Sequence, residues 1–330
     1  MGTLQQPGLM ARPVLVLNER SGTSRRRRRF TRALDRLGGE RGFDLRRPAS
    51  AEAAAEEAAR AWSAGAPMVI AAGGDGSIRA VVAGLLRAAD VRSESPLLGL
   101  VPLGRGNDLV RGLGLPLDPR LALEALAAED ALRVAPLDVG RVWIDGRAGI
   151  FVNALGIGLD AEVAGRARSI PLGGLGAYLL ALIRVLADGL RPWPAEVRID
   201  GGPARRVAAL LLTFGNGPST GGGFRLVPRA VATDGVLDYC IGRKGPVLSI
   251  LGLVPRILRG GHGGHRLVEM GRCADFEAIF SRPVAVHADG EVLASAAVHC
   301  RVGLQPAALR LACGGSILLA PGQRTRRKGS

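Results

Sequence analysis

The stretch "MVIAAGGDGSIRAVVAGLL", residues 68–86, constrains the fold more than any other. Its opening apolar run is short, ends in Gly73 and Gly74, and gives way at Gly76 and Ser77 to apolar residues at helical spacing. A strand that meets a glycine-rich turn and then a helix lets something approach the backbone closely, and a phosphate suits the positive end of that helix. Asp75, in the middle of the turn, would repel a phosphate. Either a divalent cation lies between the two, or this is a plain strand-to-helix turn with Asp75 as its N-cap.

The same grammar runs through the first 140 residues. "PVLVLN" (13–18) reads as a strand, 24–37 as a helix, the alanine-rich 51–65 as a helix, 97–104 as a strand and 120–128 as a helix. Continuous apolar strands between helices predict a parallel sheet covered on both faces, with ligands at the carboxyl ends of its strands. The polar loops at 18–22, 73–77 and 104–108 all fall there. Beyond residue 140 the apolar runs become short and closely spaced, bounded by Gly, Pro or Asp. That predicts a mainly antiparallel β domain, with a helical insertion at about 173–190 and a last strand at 308–313. The expected organisation is an α/β domain at 1–140 with 304–316 packing back on it, a β-rich domain at 141–303, and a basic, disordered tail at 317–330.

Composition narrows the partners. The chain has 330 residues and a net charge of +15, yet only Lys244 and Lys328 are lysines. The arginines are scattered apart from runs at 25–29 and 324–328, which read as solvated surface or as attraction to anionic headgroups or a nucleotide. Aromatics make up 4%, too few for a platform that stacks single-stranded nucleic acid, so no nucleic-acid partner is expected. Cys240, Cys273, Cys300 and Cys313 lie far apart without CxxC spacing, which indicates neither a zinc site nor a disulfide framework. The N-terminus lacks the apolar core of a signal peptide, and Arg184, Asp188, Pro255 and Arg256 interrupt the two most apolar stretches. A cytoplasmic protein, soluble or peripheral at the inner membrane surface, is expected.

No Walker A loop and no GxGxxG in a strand-to-helix context occur. Instead "GGDGS" is followed by "GRGNDL" (104–109), "FVNALGIGLDAEV" (151–163), "GGGFRLVPRAVATDGVLD" (221–238) and "HADGE" (287–291). Together and in this order the five motifs resemble the diacylglycerol kinase catalytic domain, the superfamily of soluble bacterial lipid kinases, sphingosine kinases and ceramide kinases. The resemblance spans about residues 13 to 315.

The resemblance implies an NAD kinase/diacylglycerol kinase-like α/β domain and an ATP-dependent transfer of phosphate to a lipid hydroxyl, with Mg²⁺. Asn18, Ser21 and Gly22 match a first nucleotide-contacting loop. Gly73, Gly74, Asp75, Gly76 and Ser77 match the phosphate loop, and Gly104, Gly106 and Asn107 a second one. Asp75, Asp108 and Asp138 match an acidic network that organises the catalytic magnesium. Asp289 matches the general base and Glu291 a neighbouring acid. Asp234, with the carbonyls of Val231 and Val236, matches a structural magnesium site of some bacterial members. The lipid would enter a cleft in the β-rich domain.

Two departures stand out: "NERSG" lacks the family's loop proline, and Arg105 stands where threonine is usual. Arg105 either adds a charged hydrogen bond to the phosphates or crowds the loop. The histidines, His262, His265, His287 and His299, have no metal-ligand spacing. The alternatives are an NAD kinase, which shares the GGDG loop, and a nucleotide- or lipid-binding homologue without catalysis. The identity of the lipid acceptor has no motif. Nor has the oligomeric state, for which a homodimer is one option.

Overall fold

The computed structural model of the chain describes residues 12–38, 42–128, 132–172, 174–189 and 191–314. Strands β1 (Val14–Leu17), β2 (Asp44–Arg46), β3 (Val69–Gly73) and β4 (Leu97–Pro102) pair in parallel in the order β2-β1-β3-β4. Alternate residues of each strand point to opposite faces, and both faces are covered. Val14, Val16, Val69 and Ala71 pack with Trp62 of α2 (Ala51–Ser63) and with Ile78 and Leu85 of α3 (Asp75–Arg87). Leu15, Ile70 and Ala72 pack on the other side with Phe30 and Leu34 of α1 (Ser24–Arg36). The helix starts are written locally: the side chains of Thr23 and Ser50 accept from the N–H groups of Arg26 and Ala53. Helices α4 (Asp108–Gly112) and α5 (Pro119–Ala127) complete this half.

The second half is antiparallel. It comprises β5 (Leu132–Ile144), β6 (Arg147–Phe151), β7 (Ala154–Gly158), β8 (Trp193–Ile199), β9 (Arg205–Gly215), β10 (Leu237–Arg243), β11 (Val268–Cys273), β12 (Asp275–Ala288) and β13 (Glu291–Gly314). Phe151, Phe214, Phe276 and Val286 lie at its core. The two halves share one sheet because β13 is 24 residues long. It begins at the β12–β13 hairpin, where Glu291 faces Ala288, and ends with Arg310 and Leu311 in parallel register with Leu97 and Leu98 of β4. β5 accompanies it antiparallel, from Ile144 opposite Cys300 to Leu132 opposite Gly314.

Three elements differ from the sequence-based expectation. α3 begins at Asp75, with Gly74 as its N-cap and no side-chain capping bond, so Asp75 lies inside the helix's first turn. The helix expected at about 173–190 is α7 (Gly174–Ala187), and a further, unexpected helix, α6 (Leu159–Ala167), precedes it. Gly158, at φ +79, ends β7, and Asp160 and Glu162 then occupy the first turn of α6, where acids favour the positive helix end. The stretch expected as a separate strand at 308–313 is the far end of β13. A last helix, α8 (Val247–Arg259), lies between β10 and β11. The basic tail falls outside the described residues. All four cysteines are free and buried, and no described helix is long and apolar enough to cross a membrane.

Candidate active site

Three loops meet at the carboxyl ends of β1, β3 and β4. The Asn18 amide donates from Nδ2 to Ser77 Oγ at 2.8 Å, tying the first loop to the first turn of α3. The N–H of Ser21 donates to the Asn18 carbonyl at 3.0 Å. Gly22, at φ +78, lies so close to the end of β4 that a Cβ there would sit 1.9 Å from the Leu103 carbonyl oxygen. The other two loops touch back to back: the N–H groups of Leu103 and Gly104 both donate to the Gly73 carbonyl, at 2.8 and 3.2 Å. A Cβ on Gly104 would lie 2.5 Å from Gly74 Cα. Asn107 is buried in the left-handed region (φ 51), and its Nδ2 donates to the Gly104 carbonyl at 2.8 Å.

Two carboxylates close this rim. A Cβ on Gly106 would lie 3.1 Å from Asp75 Oδ2 and 3.4 Å from Asp108 Oδ2, so both oxygens face the same glycine. Asp75 Oδ1 accepts from the N–H of Leu109 at 3.4 Å, and Asp108 Oδ2 from that of Gly222 at 2.7 Å. Burial pushes both carboxyls above the usual range. Asp108 rises to about 6, with the nearby Asp75 charge adding to the effect. Asp108 Oδ1 is buried without a hydrogen-bond partner. A buried carboxylate pair with an oxygen to spare fits a divalent cation. Magnesium in particular is commonly held by one or two carboxylates plus substrate phosphates.

Asp289 and Gly290 form the β12–β13 turn, both at positive φ (51 and 82). The carboxylate does not hang free as in a plain hairpin turn. It accepts from the N–H groups of Val152 at 2.8 Å, Asn153 at 2.9 Å and Ala154 at 3.0 Å. Burial raises its pKa, and those three donors together with the charge of Arg79 oppose the rise. Glu291 forms an ion pair with Arg79 of α3, and a Cβ on Gly76 would lie 2.5 Å from Glu291 Oε1.

Asp75, Gly106, Asp108 and Asp289 line one end of a cleft of about 240 Å³, together with Arg105 and Asn153. The same cleft is lined by Ala164, Arg168, Ile170, Leu172 and Tyr178 of the α6–α7 region. Asp138 and Asp234 are not part of it. Asp138 accepts from the N–H groups of Ala307 and Gly235, both at 2.7 Å, and so ties β5 to the 235 turn and to β13. Asp234 accepts from the Val236 N–H at 3.1 Å and pairs with Arg272, and its own N–H donates to the Val231 carbonyl at 3.3 Å. Arg272 Nε also lies 3.5 Å from Asp238 Oδ2. With a guanidinium already on the Asp234 carboxylate, this arrangement does not fit a divalent cation. Among the described residues, no group of three acidic, histidine or cysteine side chains is placed to hold a metal.

Sequence reasoning missed Arg79 and Tyr178 and gave no individual role to Asn153 or Gly222. Arg79 reads as one more helix-surface arginine. Asn153 and Gly222 lie inside quoted motifs, the only local signal they carry.

Residues 12–142 match the family model for the diacylglycerol kinase catalytic domain, and residues 153–313 match the YegS C-terminal NAD kinase beta sandwich-like domain. A Chromohalobacter salexigens protein named "Probable lipid kinase YegS-like" is 37% identical over 193 residues, 56% of this chain and 57% of that protein. A protein of the same name from Cronobacter sakazakii is 32% identical over 261 residues, 78% of this chain and 81% of its own length. The "Diacylglycerol kinase" of Bacillus subtilis is 29% identical over 229 residues, 68% and 71% of the two chains. A crystal structure of a diacylglycerol kinase from Bacillus anthracis superposes with a TM-score of 0.66 at 18% identity, over 91% of this chain and 96% of that one. Yeast NADH kinase shares the fold at a TM-score of 0.53 and 11% identity, over 93% of this chain and 84% of that one. The chain belongs to the diacylglycerol kinase catalytic-domain family of lipid kinases.

Proposed function

We propose that this chain transfers the γ-phosphoryl group of ATP to the hydroxyl of a diacylglycerol-like lipid, with Asp289 as general base and Mg²⁺ as the metal. One observation carries the reading: Asp75, Asp108 and Asp289 converge on a single cleft whose α6–α7 wall is mostly apolar, with Arg168 its one charged side chain among the described residues. Phosphoryl transfer needs the triphosphate held, its charge offset and the acceptor hydroxyl aimed. The glycine loops at 73–77 and 104–107 leave backbone close to the ligand, and the uncapped start of α3 adds the positive helix end. Arg105, on the cleft wall, contributes a full positive charge toward the phosphates.

Asp75 and Asp108 would hold the magnesium, which when bound supplies positive charge against the phosphate oxygens. Asp289 offers the right kind of base. A carboxylate has about four acceptor sites, and the backbone takes two on Oδ1 and one on Oδ2, leaving Oδ2 room for the lipid hydroxyl. The hydroxyl proton passes to that oxygen as the alcohol attacks. The apolar wall, continued behind Tyr178 by an apolar cavity of about 90 Å³ among Leu182, Leu210, Phe224 and Ile250, suits the lipid body. The relatives' names support the acceptor class.

Incubation with γ-labelled ATP, Mg²⁺ and dispersed diacylglycerol, beside a total lipid extract and NAD, tests the reading by mass spectrometry of the products. Phosphorylated lipid is expected. Phosphorylated NAD with no lipid product, or nucleotide binding with no turnover on any acceptor, would overturn it.

A further inference from the structure

The outer face of α8 is apolar where it should be polar. Its inner residues Ile250 and Leu253 are buried, and with Val254 and Ile257 they roof the apolar cavity behind Tyr178. On the opposite face Leu248 is 82% exposed, Val247 42% and Leu251 39%, followed on the same side by Gly252 and Pro255. The stripe ends in the exposed Arg256 and Arg259 and begins beside Arg243 and Lys244. From residue 239 to 268 the chain carries five basic side chains and no acid. Ile183 of α7, a helix that with α6 also lines the cavity, is 57% exposed as well.

We infer that this face of α8 docks on an anionic bilayer, with Val247, Leu248 and Leu251 entering the headgroup–acyl boundary and the flanking cations meeting lipid phosphates. A short amphipathic helix with leucines on one side and basic residues at its ends is built to lie in that boundary. At 13 residues it is about 20 Å long, too short to span the bilayer. Charge selects the occupant. A second copy of the chain, seated isologously, would bring the same cations face to face, whereas an anionic surface is complementary to them. Because the helix's inner side roofs the apolar cavity, docking would set the lipid-binding half of the protein against its acceptor's own medium. The inference rests on the lipid-kinase reading for its purpose but not for its geometry.

Co-sedimentation of the full chain with vesicles of phosphatidylcholine carrying roughly 30% phosphatidylglycerol tests it. Wild type is expected to bind, more weakly at high salt and more weakly to pure phosphatidylcholine. The pair Leu248→Gln/Leu251→Gln should lower the partition about tenfold or more. It should leave turnover of a short-chain, monomerically dissolved diacylglycerol unchanged. Arg256→Glu/Arg259→Glu, at exposed positions, should remove the preference for anionic vesicles. Wild type that stays in the supernatant, or a leucine variant that binds as wild type does, overturns the inference. So does a wild-type dimer that the leucine variant splits without loss of vesicle binding, since the face would then belong to a second copy. Binding through α8 without phosphorylation of any lipid would keep the docking face and sink the kinase reading. Turnover of the short-chain acceptor by a wild type that binds no vesicle would do the reverse.

Discussion

Arg79 in α3 and Glu291 in β13 form an ion pair that joins the glycine-rich loop at 73–77 to the hairpin carrying Asp289. They are 212 residues apart in the chain. The pair fixes the phosphate-side helix and the base-bearing turn relative to each other. Arg79→Ala should lower kcat about 10- to 100-fold through misplacement of the base, while KM for ATP changes little. Arg79→Lys, which keeps the charge, should recover part of the rate. A drop in thermal stability with kcat intact would instead make the pair merely structural.

Asp289→Asn probes the base itself. It should cost about 10²- to 10⁴-fold in kcat. An amide keeps one acceptor oxygen for the donors at 153 and 154 but turns an NH₂ toward the N–H of Val152, so the fold should also lose about 1–3 kcal/mol. Urea unfolding beside steady-state kinetics separates the two effects.

Gly104 is where the two phosphate-side loops touch, and a Cβ there would lie 2.5 Å from Gly74 Cα. Gly104→Ala should push the loops apart and weaken binding of a non-hydrolysable ATP analogue at least about tenfold by titration calorimetry. Binding as tight as wild type would remove these loops from the nucleotide site.

Asp108 gives a pH signature with a definite sign. Its carboxyl titrates at about 6 in the folded chain, above the ordinary value of roughly 4 expected when unfolded. The folded state therefore binds the proton more tightly, and stability falls as pH rises through that window. In EDTA the protein should lose up to about 3 kcal/mol from this group between pH 4 and pH 7. Asp108→Asn should flatten the curve by that amount in denaturant titrations at each pH.

Arg272 occupies the Asp234 carboxylate. Removing it as Arg272→Ala should leave that carboxylate, beside Asp238, short of a cation, and Mg²⁺ should then raise Tm by about 2–4 °C beyond its effect on wild type. Adding Asp234→Asn should abolish the extra gain. An equal Mg²⁺ effect in wild type and Arg272→Ala would show that the guanidinium was never in the cation's way.

The sequence by itself determined the parallel half and the loops at its strand ends. Those depend on neighbours a few residues apart: apolar runs of strand length, glycines where a loop meets a close partner, and helix starts with their caps. It also held the five motifs in order, and with them the family and the identities of Asp75, Asp108 and Asp289. Only the tertiary structure decided which acids share a cleft. Asp289 meets Val152 through the register of β7 and β12, a property of paired strands rather than of local periodicity, while Asp108 meets Gly222 and Arg79 meets Glu291 through the packing of helices against distant loops and the β12–β13 hairpin. The β5–β13 pairing takes Asp138 to Ala307 and to Gly235 of the neighbouring turn, and the β10–β11 pairing brings Arg272 to Asp234, away from the cleft. The 24-residue span of β13, which welds both halves into one sheet, and the uncovered face of α8 were unreadable for the same reason. A pattern shows that a face is apolar, and only the packed chain shows whether anything covers it.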